Sequence, residues 1–387
     1  MRTVYLDNNA TTRVDPEVRD AMMPFFCDQY GNASSMHTFG GRNKAHIDRA
    51  REQVAALLGC EPAEIVFTSC GTESDNAAIR GTVDALAGRK HHLITTRVEH
   101  LAVLSVCQYL GKRGYRVTEL PVDGDGMLDL DQLADSITDD TAIVSIMWAN
   151  NETGVIFPIE EIGELCHQRG VTFHTDAVQA AGKLPINLHQ LPVDLLSLSG
   201  HKLHAPKGIG VLYIHKGTRI SPFLIGGHQE NNRRAGTENV PYIVGLGKAC
   251  ELAAAHLEDE RTRVRALRDK LERGILATCP DCFVNGAGSP RLPNTSNIAF
   301  EFIEGESILL MLDQHGICAS SGSACTSGSL DPSHVMRAMG VPFTAAHGST
   351  RFSLSRYTTE AEIDYTLERV PPIIHRLREL SPFVAAP

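Results

Sequence analysis

At 387 residues the chain is too long for one small domain, and two domains or one large α/β domain are its natural organisations. A content of 42% hydrophobic and 21% charged residues is that of an ordinary globular protein, and no apolar run approaches the roughly 20 residues of a membrane span. The net charge of −10 excludes a nucleic-acid backbone partner, because no basic stripe exists to displace counterions.

The first residues, Met1-Arg-Thr-Val-Tyr-Leu6, run directly into a strand without the basic region and apolar core of a signal peptide. Cys27, Cys60, Cys70, Cys107, Cys166 and Cys250 are scattered singly, followed by the pairs Cys279/Cys282 and Cys318/Cys325. That spacing is no disulfide framework, so reduced thiols in a cytoplasmic protein are expected. A helix is predicted over 41–58, with Ala45, Ala50, Val54, Leu57 and Leu58 on one face and Gly59 as its stop. Short β-rich runs follow at 64–68, 92–96, 142–148, 171–175 and 195–199, each leading into a turn or a helical pattern. Such alternation predicts α/β layers around a mainly parallel sheet, with ligands gathered at the carboxyl ends of the strands.

Near Leu257 a charged helix begins, carrying Val264, Leu267, Leu271 and Ile275 on one face, and it leads into a smaller α+β region with strands at 296–302 and 349–354. Within that region Ser320 to Ser329 is a run of small polar residues around one thiol, a composition that favours a loop.

Three segments carry chemistry. Leu195-Leu-Ser-Leu-Ser-Gly-His-Lys202 is a buried strand ending in a polar corner with a lysine at its tip. A lysine poorly placed for solvation has the lowered pKa that an imine-forming amine requires. Val171-Thr-Phe-His-Thr-Asp-Ala-Val-Gln179 is a second apolar strand ending in an acid, suited to pair with a pyridinium nitrogen. Glu64-Ile-Val-Phe-Thr-Ser-Cys-Gly-Thr-Glu-Ser74 is a strand, a glycine turn and a helix start, where Gly71 and Thr72 suit a phosphate. Thr72-x-x-Asp75 also fits an ordinary capping box. Neither a GxxxxGK[ST] loop nor a GxGxxG turn occurs, so ATP and NAD lack their usual signal.

Together with Tyr5-Leu-Asp-Asn-Asn-Ala-Thr-Thr12, Glu99-His100, Asn150-Asn-Glu-Thr-Gly154, Asp176-Ala-Val-Gln179, Ser199-Gly-His-Lys-Leu-His-Ala-Pro-Lys-Gly208, Arg234-Ala-Gly-Thr-Glu-Asn239, Ser321-Gly-Ser-Ala-Cys325 and Arg351-Phe-Ser353, these segments form an ordered set. Over essentially its whole length the chain resembles the fold-type I pyridoxal-phosphate enzymes of the class V aminotransferase group, and specifically the NifS-type cysteine desulfurases. The resemblance implies a large α/β domain over 15–256 with a mainly parallel, seven-stranded type of sheet. It implies a small α+β domain from 1–14 and 257–387 that carries a cysteine loop at about 318–334.

The resemblance also assigns roles. Lys202 forms the imine with pyridoxal 5′-phosphate and moves the Cα proton. Asp176 pairs with the ring nitrogen, Gln179 and Asn151 lie at the ring hydroxyl, and His100 stacks on the ring and moves a proton at the reacting thiol. Gly71, Thr72, Ser199 and His201 hold the phosphate, and Thr237 reaches it from a second subunit, which implies a homodimer. Asn32 and Arg351, with Asn151, bind the substrate carboxylate. In the family pattern a proline stands where this chain has Ala33, beside Asn32.

Cys325 names the reaction: its thiolate attacks the sulfur of L-cysteine, leaving L-alanine and a persulfide for an Fe–S scaffold protein. A structural cysteine belongs in an apolar periodic segment, not in a run of Ser and Gly. The C-terminal stretch from Arg351 onward resembles the nitrogen-fixation branch, so nitrogenase maturation is the expected destination. An aminotransferase or selenocysteine lyase, and a non-enzymatic Fe–S carrier, are the competing readings. No metal site is expected beyond transient contact of Cys325 with a cluster. Cys279-Pro-Asp-Cys282 is half a zinc set without a second pair, and Cys318, His201 and His204 are better explained by packing or phosphate contact.

Overall fold

The computed structural model of the chain describes residues 3–321 and 332–381. Among these, the strands in chain order are β1 (Val4–Tyr5), β2 (Ile65–Thr68), β3 (His92–Thr96), β4 (Arg116–Leu120), β5 (Thr141–Ser145) and β6 (Thr172–Asp176). They continue with β7 (Leu195–Ser199), β8 (Gly210–Ile214), β9 (Cys282–Val284), β10 (Thr295–Phe300), β11 (Ile317–Cys318) and β12 (Ser349–Ser353).

The main sheet has seven strands in the order β2-β8-β7-β6-β5-β3-β4. All neighbours run parallel except at β8, which is antiparallel to both β2 and β7. Every residue of β2, β3, β5, β7 and β8 is buried. That is the condition of a parallel sheet covered by helices on both faces, and it explains why these strands read as continuous apolar runs. The run expected at 142–148 begins one residue earlier, and its regular part ends at Ser145. Ile146 and Trp148 still donate to the carbonyls of His174 and Asp176, at 3.1 and 2.9 Å.

The helix expected over 41–58 spans Asn43–Leu58, and Gly59 ends it in the left-handed conformation at φ +63°. Ile47, not Ala45, completes its buried face with Ala50, Val54, Leu57 and Leu58. This face packs against helix Val240–Ala255. The backbones approach closely: a Cβ on Gly247 would lie 2.6 Å from Ala50 Cα.

A second sheet, β12-β10-β9, is antiparallel. Val264, Leu267, Leu271 and Ile275 are all buried as their spacing predicts, and they share an apolar cluster with Val4, Leu6, Ile298, Phe352 and Ile374. Leu292, Val335, Met336 and Ala346 pack instead into the cluster around the main sheet. After β1, which pairs in parallel with β11, the chain crosses from the second cluster to the carboxyl ends of the main strands.

Gly247→Val is expected to cost about 1–3 kcal/mol of stability through overpacking of the helix pair. A lower denaturant midpoint at unchanged slope in equilibrium unfolding checks it.

Candidate active site

A pocket of about 260 Å³ opens at the carboxyl ends of the main-sheet strands. Much of its wall comes from strand ends and the turns that follow them. Gly71 and Thr72 follow β2 at the start of helix Gly71–Ala85, His100 follows β3, Met147, Ala149 and Asn151 follow β5, Asp176 ends β6, and Ser199 ends β7. His201 and Lys202 lie in the short 3₁₀ turn Gly200–Lys202 directly after β7. Gly71 is required by space, since a Cβ there would lie 2.9 Å from Val178 Cγ2 and 3.3 Å from Ser199 Cβ. The first turn of this helix therefore sits bare-backed against the pocket, its positive end available to an anion.

The N-terminal segment stitches the pocket together. Lys202 Nζ donates to the carbonyl of Asn9 and, at 2.7 Å, to that of Ala10. Gln179 Nε2 donates to the same Asn9 carbonyl at 3.0 Å. His201 Nδ1 lies 3.1 Å from Thr11 Oγ1, and Arg351 Nη2 pairs with Asp7 at 2.8 Å. Arg351 also donates to the Asn151 carbonyl at 2.8 Å and is only 2% exposed. Burial, then the charges of Arg351 and Lys183, draws Lys202 down from 10.5 to about 7. An amine so placed is substantially unprotonated near neutrality, which makes it a nucleophile.

Acids and imidazoles surround this amine. Burial raises the Asp176 carboxyl, while His100 and Lys202 oppose the rise. A cationic ring nitrogen set against Asp176 would favour its ionised form. His100 Nδ1 accepts from Ala102 N–H at 3.1 Å as the cap of helix Leu101–Gly111, so the neutral ring carries its proton on Nε2. Its proton affinity is lowered, first by burial. Burial also holds His201 down at about 4, so it meets a ligand as a neutral imidazole.

Of the residues expected at the site, Gly71, Thr72, His100, Asn151, Asp176, Gln179, Ser199, His201, Lys202 and Arg351 all line this one pocket. Asn32 and Thr237 do not: both are exposed, and Asn32 Oδ1 accepts from Ser34 N–H at 2.8 Å in a local turn. Cys325 lies outside the described residues. His204 is packed at φ +62° with Nδ1 3.0 Å from the Arg13 carbonyl, away from the pocket. Cys318 ends β11, and Cys282 Sγ donates to the Cys279 carbonyl at 3.0 Å. Among the described residues no group of three or more His, Cys, Asp or Glu could hold a metal, and no helix is long and apolar enough to cross a membrane.

The structure adds residues that sequence reasoning missed. The capping box at Thr72 is not formed. Cys70 caps the helix instead, its Sγ accepting from Glu73 N–H at 3.4 Å, and Asp75 turns inward to the pocket. Asp75 lies 3.7 Å from His174 Nε2, and burial with the nearby Asp176 charge raises its pKa well above the usual range. The available signal was an acid on the buried stripe Gly71, Ser74, Asp75, Ala78. Glu152 and His334 also line the pocket. Ser333 Oγ donates to Glu152 at 2.6 Å, and His334 Nε2 donates to the Glu99 carbonyl at 2.9 Å.

The residues present fit pyridoxal phosphate: an amine held near neutral pKa, a buried acid beyond it, and a glycine-opened helix start for the phosphate. The aminotransferase class-V family matches residues 4–366. A cysteine desulfurase of Trichormus azollae is 63% identical over 383 residues, covering 99% of this chain and 96% of that protein. The cysteine desulfurase NifS of Azotobacter vinelandii is 61% identical over 384 residues, covering 99% and 95%. Among solved structures, a NifS-like protein superposes with a TM-score of 0.91 at 40% identity, covering 97% of this chain and all of that one. One from Rickettsia africae gives 0.87 at 33% identity over 97% of this chain and 100% of its own. Fold and pocket are thus those of a fold-type I enzyme that depends on pyridoxal phosphate. Within that class, the chain belongs to the class-V aminotransferase family.

Because Lys202 has a lower pKa folded than unfolded, the unfolded chain binds more protons between pH 7 and 10.5, and folding stability rises with pH across that window. Lys202→Met removes this dependence. In the cofactor-free protein, thermal unfolding is expected to show the wild type gaining on Lys202→Met as pH rises from 7 to 10.5. A constant difference would contradict the lowered pKa.

Proposed function

We propose that the chain is a cysteine desulfurase that holds pyridoxal phosphate at Lys202 and passes the sulfur of L-cysteine to Cys325. One observation carries this reading: the buried, near-neutral amine of Lys202 shares a single pocket with Asp176, His100 and Arg351. The flanks of the Cys325 segment reach the same place. Ser320 pairs with Arg351 through both backbone hydrogen bonds, and His334 lines the pocket. The close relatives named as cysteine desulfurases support it further.

In this reading Gly71, Thr72, Ser199 and His201 hold the phosphate, Asp176 faces the ring nitrogen, Gln179 and Asn151 face the ring hydroxyl, and His100 covers the ring. Thr237, exposed and outside its own pocket, serves the pocket of a second copy in a homodimer. Bound there, the cofactor supplies a covalent anchor for the substrate amine and an electron sink. Arg351 binds the substrate carboxylate, with Asn151 beside it; Asn32 would have to join from outside this chain's pocket. Lys202 takes the proton from the substrate Cα and returns one later, which its near-neutral pKa allows in both directions. His100 moves a proton at the substrate sulfur through Nε2. The Cys325 thiolate attacks that sulfur: the S–S bond forms, the Cβ–S bond breaks, and its electron pair stays with carbon. Protonation of that carbon completes L-alanine, and the persulfide remains on Cys325.

We place the large domain at 15–256 and the small one at 1–14 and 257–387, with Leu292, Val335 and Met336 packing across that line. The acceptor is an Fe–S scaffold protein of the cytoplasm, and nitrogenase maturation is the destination suggested by the relative named NifS.

Incubation with L-cysteine and a thiol reductant is expected to yield alanine and sulfide in equal amounts. Lys202→Ala should lower turnover by at least about 100-fold. Cys325→Ala should bind the cofactor normally and release no sulfide; full turnover by that variant would instead favour an aminotransferase or selenocysteine lyase.

A further inference from the structure

A second lysine lies behind the first. Lys183 is only 7% exposed, and the chemistry above uses it only as a charge near Lys202. The turn that precedes it is sharp. Gly182 adopts φ +73°, and a side chain there would meet Leu203 Cδ2 at 2.5 Å. The chain thereby folds Lys183 back on Gln179, whose carbonyl accepts from Lys183 Nζ at 3.0 Å and whose side-chain Oε1 lies 3.5 Å from it.

Gln179 Nε2 points the other way, donating to the Asn9 carbonyl that also accepts from Lys202. A glutamine amide has an acceptor at one end and donors at the other. With an ammonium at its oxygen end, the flipped amide would set N–H against N–H and is excluded. Lys183, Glu260 and Lys202 also line one small interior cavity of about 20 Å³, separate from the active-site pocket. Burial brings Lys183 down to about 8, and the buried Glu260 carboxyl favours its charge, which leaves it mostly cationic at neutral pH.

We propose that Lys183 is a positioning residue of the active site: its ammonium holds the Gln179 amide with the N–H groups toward the cofactor. The ring hydroxyl oxygen then always meets a donor. This rests on the functional reading above, in which Gln179 faces that hydroxyl.

The test uses the cofactor-loaded protein and two readouts other than turnover, the dissociation constant for pyridoxal phosphate and its bound absorbance maximum. Lys183→Met is expected to weaken binding by about 10-fold or more, the worth of one charge-assisted hydrogen bond, and to move the absorbance maximum. Both changes should vanish when the substitution is made in a Gln179→Leu background, because the two residues act as one unit. Equal changes in both backgrounds would mean that Lys183 acts without Gln179, and the proposal falls. It falls equally if Lys183→Met lowers only the thermal midpoint while affinity and absorbance stay as in the wild type. If Lys183→Met folds poorly, Lys183→Gln, which trades the ammonium for a neutral donor, should weaken binding by a smaller factor that also vanishes in the Gln179→Leu background, and an equal loss in both backgrounds would overturn the proposal. A wild-type protein that binds no pyridoxal phosphate would overturn the functional reading itself, a result distinct from all of these.

Discussion

An amine at the end of a buried strand is costly to place, and the site is organised around that cost. Lys202 cannot keep its charge cheaply where it sits, because burial and two neighbouring cations oppose it. Two backbone carbonyls, those of Asn9 and Ala10, compensate by accepting from Nζ. These carbonyls belong to a segment that also supplies Asp7 to Arg351 and Thr11 to His201. The lysine therefore depends on a stretch of chain almost two hundred residues away in sequence, and that stretch depends on β1 and β11 to hold its near end.

The pocket and the layer directly behind it gather ionisable groups whose charges burial disfavours. Asp75, Glu99, Glu152 and Asp176 all have raised proton affinities, and His100, His174 and His201 lowered ones. Desolvation is the first cause in every case, so burial here favours the neutral forms, and a charged ligand would shift that balance toward the charged ones. Hydrogen bonds then orient two of them: Ala102 N–H settles the proton of His100 on Nε2, and Val178 N–H settles one oxygen of Asp176 at 2.9 Å. A site of this kind spends little reorganisation on reaction, because its dipoles are already aimed.

Much of this was legible in the order of residues. Local physics decided that 195–199 is a strand with Lys202 at its tip, that Asp176 ends another, and that Gly71 opens a helix start, since each needs only apolar runs and one turn residue. The face of helix Arg265–Thr278 was equally plain from spacing alone. Asp75 was misread because a capping box and an inward-facing acid share one pattern, and only the packing of the helix on the sheet separates them. Ala45 yielded its place to Ile47 because the contact with helix Val240–Ala255 sets which residues of the stripe meet a partner.

The sequence by itself determined the residue types of the chemistry, the family, and the strand ends on which the lysine and the acid stand. Tertiary structure alone decided which groups meet: Asn9 with Lys202 and Gln179, Lys183 with the oxygen end of Gln179, Ser333 with Glu152, and neither Asn32 nor Thr237 with this pocket. The reason is physical. Strand and helix ends follow from interactions a few residues long, whereas the pairing of a backbone carbonyl with a distant ammonium depends on how the layers pack, and carbonyls carry no signature in sequence.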